Sequence, residues 1–277
     1  MKTNLLLFII FSHFIVFTVP IPANDQQLLA PNQPNYHINN IIKRNNKIYT
    51  QGLLLTSDAQ YLFESGGLYQ ESTMTKMKFP SFKVVAHHDL PKNYFGEGIA
   101  KCNDVIYQLT WREGKMLLYT YPEMKYIHTA EKPKEIREGW GMTQGKKEDE
   151  VYITDGSEYI YSYKCDRNNQ LLFTGKTKVE SNGKAIEKLN DLVYVNGFIY
   201  VNIYTSSKIA KVNPENGQVI TWYEMSPLVQ YEIKKNTLTE NDLYSGNVLN
   251  GITYNEVNKT FLITGKEWGY FYEVELN

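Results

Sequence analysis

A chain of 277 residues, 42% hydrophobic and 21% charged, is long enough to bury a sizeable core. Its formal charge of −1 at pH 7 provides no global field for nucleic acid or an anionic membrane. The 22 Tyr, 12 Phe and 4 Trp suit pleated, half-buried strands, and with turn residues every few positions they point to an all-β chain.

The N-terminus has a Lys near its start, an apolar run from Leu5 to Val19, and then small and Pro residues up to Ala23. This is the pattern of a secretory signal peptide over 1–23, with cleavage near Ala23 and a mature chain starting near Asn24. The run is shorter than the roughly 20 residues of a membrane span; an uncleaved anchor is the alternative. Residues 24–46 are polar, rich in Asn, Gln and Pro, and read as an extended lead-in with no core of its own. Cys102 and Cys165 fall in different repeats and read as free buried thiols or at most one bridge. Asn258-Lys259-Thr260 is a glycosylation sequon.

From Ile48 a unit recurs: a polar–Gly or polar–Asn opening, then short apolar strands separated by turns. The openings lie at Gly52, Gly98, Gly141, Asp191 and Gly251, in steps of about 46, 43, 50 and 60 residues, the range of propeller blades. A sheet of a few strands buries both faces only by packing radially against copies of itself. Residues 47–277 are therefore expected to form a single five-bladed β-propeller domain. Ser57-Asp58, Asn196-Gly197 and Asn216-Gly217 supply tight reversals. The longer polar stretch from Ser226 to Asn247 reads as a loop insertion with room for a short helix over one face.

The first strand of each blade lines the channel, so the openings and second-strand ends converge there. They contribute Tyr49, Gln51, Phe95, Glu97, Trp111, Trp140, Asp155, Asn190, Asp191, Tyr204, Asn250, Lys266 and Trp268. Glu97 stands in Phe-Gly-Glu-Gly, where glycines permit close backbone approach. Aromatic walls would desolvate it and raise its pKa toward a value useful for acid/base work. Asn, Gln and Lys can donate to a carbonyl oxygen gaining negative charge. That equipment suits acyl transfer in a small pocket. Singly, each residue also has a structural reading: a strand-end acid, packing tryptophans, turn amides, a surface lysine, and a turn acid at Asp155. The chain has no zinc-ligand spacing, no Gly-x-Ser-x-Gly elbow and no phosphate-binding loop.

The segments Tyr-Thr-Gln-Gly (49–52), Leu-Phe-Glu-Ser-Gly-Gly-Leu-Tyr (62–69), Phe-Gly-Glu-Gly (95–98), Gln-Leu-Thr-Trp (108–111), Gly-Trp-Gly-Met-Thr (139–143), Thr-Asp-Gly-Ser (154–157), Leu-Asn-Asp-Leu (189–192), Val-Leu-Asn-Gly-Ile (248–252) and Thr-Gly-Lys-Glu-Trp (264–268) occur in order. Together they resemble the signature of plant-type glutaminyl cyclases, a family with bacterial and protist members. The resemblance runs from about Ile48 to the C-terminus. It implies a five-bladed propeller with its site at the channel mouth. The implied reaction cyclises the N-terminal glutamine of peptides and proteins to pyroglutamate, releasing ammonia. It implies Glu97 as the acid/base carboxylate, with Asn190 and Lys266 beside it. Tyr49, Gln51, Phe95, Trp111, Trp140 and Tyr204 take pocket positions. No cofactor or catalytic metal is expected, although a structural cation in the central channel is compatible with the family. The expected protein is a monomer in the secretory pathway or outside the cell, with no nucleic-acid partner and no membrane attachment after signal cleavage. Tyr49 stands where the family usually has Phe, Tyr204 where it has Trp, and Asp191 where it has Glu. Two other functions fit a propeller: a calcium-dependent lactonase or related hydrolase, and a non-catalytic peptide-binding module.

Overall fold

The computed structural model describes residues 35–277; the signal segment and residues 24–34 of the lead-in lie outside them. Five four-stranded antiparallel sheets form the blades. Blade one comprises β2 (Thr50–Leu55), β3 (Tyr61–Gly66), β4 (Thr73–Lys78) and β5 (Lys83–Asp89). Blade two comprises β6 (Gly96–Cys102), β7 (Val105–Thr110), β8 (Lys115–Thr120) and β9 (Tyr126–Glu131). Blade three comprises β10 (Met142–Gln144), β11 (Glu150–Thr154), β12 (Tyr159–Cys165) and β13 (Leu171–Lys178), and is followed by a small hairpin, β14 (Glu180–Ser181) and β15 (Lys184–Ala185). Blade four comprises β16 (Leu189–Val195), β17 (Phe198–Ile203), β18 (Lys208–Val212) and β19 (Val219–Glu224).

Blade five is built from both ends of the chain. Its inner strands are β20 (Leu249–Asn255), β21 (Thr260–Gly265) and β22 (Tyr270–Leu276), and its outer strand is β1 (Tyr36–Lys43). β1 runs antiparallel to β22, from Tyr36 opposite Leu276 to Lys43 opposite Tyr270. This corrects the lead-in reading: residues 36–43 belong to the propeller, because Tyr36 and Ile38 point inward and are buried. The alternation of Tyr36, Ile38 and Asn40 with exposed His37 and Asn39 is a period-two pattern inside a polar stretch.

The core is divided among the seams. Each of five buried apolar clusters fills one junction between neighbouring blades. The largest also takes in the insertion between blades four and five, which folds as α1 (Ser226–Lys234) and α2 (Glu240–Tyr244). Buried Glu232 of α1 accepts hydrogen bonds from the backbone N–H groups of Gly269 (2.9 Å) and Tyr270 (3.1 Å) and from the Tyr272 hydroxyl (2.9 Å). The insertion is thus tied to the start of the last strand. Cys102 and Cys165 form a disulfide between blades two and three. Among the described residues no helix is long and apolar enough to cross a membrane.

Candidate active site

Four of the five innermost strands break their ladder at the same place. Pairing slips between Thr50 and Gly52, Gly96 and Ile99, Leu189 and Leu192, and Leu249 and Ile252. Such bulges re-aim side chains, and the residues inside them include Gln51, Glu97, Asn190 and Asn250. Close packing of the ring enforces the glycines beside them. A Cβ at Gly98 would lie 2.5 Å from both the Met142 amide nitrogen and the Trp140 carbonyl oxygen. Gly251 holds φ at +105°, a conformation that only glycine adopts freely.

The result is a buried polar floor. Glu97 is 5% exposed, and its Oε1 accepts from Gln51 Nε2 at 3.1 Å. Gln51 Oε1 in turn accepts from Asn250 Nδ2 at 3.2 Å, which fixes the orientation of the Gln51 amide. The Glu97 backbone carbonyl accepts from Ser65 Oγ (2.5 Å), and Ser65 Oγ accepts from Gln108 Nε2 (2.8 Å). Tyr119 donates its hydroxyl to Gln108 Oε1 at 2.9 Å, so a chain of bonds reaching two strands into blade two holds the carboxylate's backbone. Asp191 is fully buried, and its Oδ2 accepts from the Ile252 N–H at 2.9 Å. This carboxylate therefore joins blades four and five. Asn190 is buried, with its Oδ1 making no hydrogen bond.

Burial dominates the electrostatics of this floor. It pushes the Glu97 carboxyl well above the ordinary range; Lys266 opposes the rise, while Glu113, Asp191 and Glu138 add to it. Burial likewise pushes Lys266 down to about 8, against the pull of Glu97 and Asp191. Asp191 is raised by burial against its backbone donors.

Above the floor stand half-buried rings. Tyr49 and Phe95 meet edge to face with centroids 6.2 Å apart, Phe95 and Trp111 are 5.5 Å apart, and Trp140 and Tyr204 are 5.5 Å apart. Lys266 Nζ lies 5.0 Å from the Tyr49 centroid and 4.7 Å from that of Tyr204. Gly246, at the end of the insertion, abuts both tyrosine hydroxyls: a Cβ there would sit 3.2 Å from that of Tyr49 and 3.3 Å from that of Tyr204.

A carboxylate of raised pKa beside a lysine, in a five-bladed ring with this order of motifs, has counterparts. The family model described as glutamine cyclotransferase matches residues 13–276. The chain belongs to the glutamine cyclotransferase family. It is 29% identical over 230 residues to a glutaminyl-peptide cyclotransferase of Arabidopsis thaliana, covering 82% of this chain and 67% of the relative. Its fold is similar to the crystal structure of Myxococcus xanthus glutaminyl cyclase, with a TM-score of 0.74 and 26% identity, over 87% of this chain and 96% of that one.

Within this cyclotransferase fold, the expected Tyr49, Gln51, Phe95, Glu97, Trp111, Trp140, Asn190, Tyr204 and Lys266 all lie at one end of the channel. Two residues of the converging set do not join them. Trp268 is fully buried in the seam between blades four and five, with its Nε1 donating to the Asn247 carbonyl at 3.2 Å. Asp155 caps a turn, accepting from Ser157 N at 3.1 Å and Ser157 Oγ at 2.5 Å. Ser65, Gln108 and Glu138 went unassigned in the sequence. Gln108 and Ser65 both sit inside recognised segments, yet nothing local marks a residue whose partner is 43 positions away. Among the described residues, no group of three or more His, Cys, Asp or Glu is disposed to hold a metal ion.

Proposed function

We propose that this site is that of a glutaminyl-peptide cyclotransferase, acting on the N-terminal glutamine of peptides and proteins. The observation that carries the reading is Glu97: a buried carboxylate of raised pKa, bonded to Gln51, near Lys266, at an aromatic-walled mouth. Family membership and the likeness to a solved glutaminyl cyclase support it.

Glu97 takes a proton from the substrate's α-ammonium. The freed amine attacks its own γ-carboxamide carbon, forming the ring C–N bond and placing negative charge on the carbonyl oxygen. Gln51, Asn190 and Lys266 supply donors toward that oxygen, and Lys266 serves in its protonated form. Glu97 hands its proton to the amide nitrogen, the old C–N bond breaks, and the surplus ring-nitrogen proton leaves with the ammonia as ammonium. Because the attack is intramolecular, the pocket acts largely by folding the glutamine side chain back on itself. Tyr49, Phe95, Trp111, Trp140 and Tyr204 form the wall that imposes this. No step calls on an organic or redox cofactor.

The protein is further proposed to be a secreted monomer whose signal peptide is removed near Ala23. The Cys102–Cys165 disulfide supports an oxidising compartment. N-terminal analysis from the native host should find a chain starting near Asn24, and Met1 retained would refute secretion by this route. The decisive assay incubates purified protein with Gln-initiated peptides and follows ammonia and the corresponding mass loss. Turnover is expected, and it should survive exhaustive chelation. No turnover on any such peptide would sink the reading. Activity lost on chelation and restored by zinc or calcium would move the chemistry to a metal.

A further inference from the structure

The ring contacts around Glu97 leave two gaps, and a charged side chain spans each. On one side Tyr49, Phe95 and Trp111 touch in sequence. On the other stand Trp140 and Tyr204. Lys266 bridges Tyr204 to Tyr49 through its contacts with both ring faces. Across the remaining gap lies Glu138. Its Oε2 accepts from Trp111 Nε1 at 2.8 Å and from Trp140 Nε1 at 3.1 Å. Its Oε1 accepts from Arg112 Nε at 3.0 Å, and that guanidinium lies 3.8 Å above the Trp111 ring. The contacts then form a closed collar.

We infer that Glu138 is a positioning residue: by holding both indole N–H groups on one oxygen, it sets the two tryptophans as opposing walls that grip the substrate over Glu97. The inference rests on the cyclotransferase reading. An indole N–H that is half-buried needs an acceptor, and an indole with none rotates to find one. Trp111 follows the second strand of blade two and Trp140 precedes the first strand of blade three; the Gly139 N–H donates to the Trp111 carbonyl at 2.9 Å, which ties their backbones but does not constrain the two indole torsions. Glu138, two residues before Trp140, supplies that constraint. Hydrogen bonds from Trp111, Trp140 and Arg112 hold its own carboxyl below the usual range against partial burial, so it stays an acceptor throughout the working pH range.

The test compares wild type with Glu138→Leu and Glu138→Gln in kinetics on a Gln-peptide, tryptophan emission and thermal unfolding. Leucine removes the acceptor. Glutamine keeps a carbonyl oxygen able to accept from both indoles and gives up the Arg112 contact and the negative charge that helps raise Glu97. Glu138→Leu should raise KM about tenfold, the worth of one or two forfeited bonds. Its kcat should stay within about threefold of wild type, since the chemical groups are untouched. Emission from the collar tryptophans should shift in Glu138→Leu. Glu138→Gln should restore KM and emission to near wild type. A folded leucine variant with wild-type KM and emission overturns the proposal, as does a glutamine variant no better than leucine. If Glu138→Leu does not fold, Glu138→Asp replaces it, since its shorter arm cannot span both indoles; wild-type KM in that variant overturns the proposal too. A wild-type protein without turnover would remove the cyclotransferase reading instead. The collar would then stand or fall on emission: altered by leucine and restored by glutamine, or not.

Discussion

Glu97 is buried, so its substitution reads differently from that of a surface acid. Glu97→Gln keeps size and the bond to Gln51 but removes the proton acceptor. It should lower kcat by roughly 100-fold or more with little change in KM. Stability should hold or rise slightly, because burial already disfavours the charged form that the substitution removes. Circular dichroism melts beside the kinetics check both; a folded variant of near-normal kcat would reject Glu97 as the base. The pH profile follows from the same shifts. Activity requires ionised Glu97, so kcat/KM should climb through a pKa above the ordinary glutamate value of about 4.3. It also requires protonated Lys266, pushed down to about 8, so it should decline as pH rises through that value. Lys266→Met should cost about 100- to 1,000-fold in kcat and erase the alkaline limb assigned to the lysine, measured as log kcat/KM against pH. At this scale the sequence was legible where motifs touch the mouth, as at Phe-Gly-Glu-Gly. It was opaque where a residue acts across blades: Ser65, Gln108 and Glu138 each have a partner that only the packing of neighbouring blades brings near.

Among the elements, the inner strands were legible because each combines a polar–Gly opening with a continuous apolar run. The outer strands were not. β5 reads exposed at most positions and β13 likewise, so neither carries a strong buried face to betray it. β1 was hidden inside an Asn-rich stretch. The insertion was expected as a loop with room for a short helix; it holds two helices, the second opened by a capping box from Thr239 to Asp242. The disulfide settles the alternatives left open for the cysteines. It joins the far ends of β6 and β12, and β6 carries Glu97 near its other end. Closing a loop across 63 positions, it should contribute about 2–5 kcal/mol. The double substitution Cys102→Ser/Cys165→Ser is expected to lower Tm accordingly while leaving kcat/KM at 25 °C within about twofold, because the cross-link lies away from the mouth. Thermal melts and steady-state rates on one preparation test both halves.

For the whole molecule, the repeat spacing forecast five blades, but it could not forecast how the first and last meet. That seam is sealed by a buried ion pair. Arg44, just after β1, donates to Glu64 Oε1 of blade one at 2.7 Å, to Thr50 Oγ1 at 3.1 Å and to Thr264 Oγ1 of blade five at 3.2 Å. Its guanidinium lies 4.4 Å from the Phe271 ring centroid. Arg44→Met would strand Glu64 in the interior and should cost about 3–5 kcal/mol; Arg44→Met with Glu64→Gln should recover much of that, a comparison that denaturant titration can make. The closure of blade five also has a temporal side. A ribosome delivers Tyr36–Lys43 before, and Tyr270–Leu276 after, every other strand of the propeller. Until β22 is made, the early strand carries Tyr36 and Ile38 without the surface that will cover them, and the circle completes only once that strand has left the ribosome. A message truncated before Tyr270 would yield not a slightly shorter propeller but an open one.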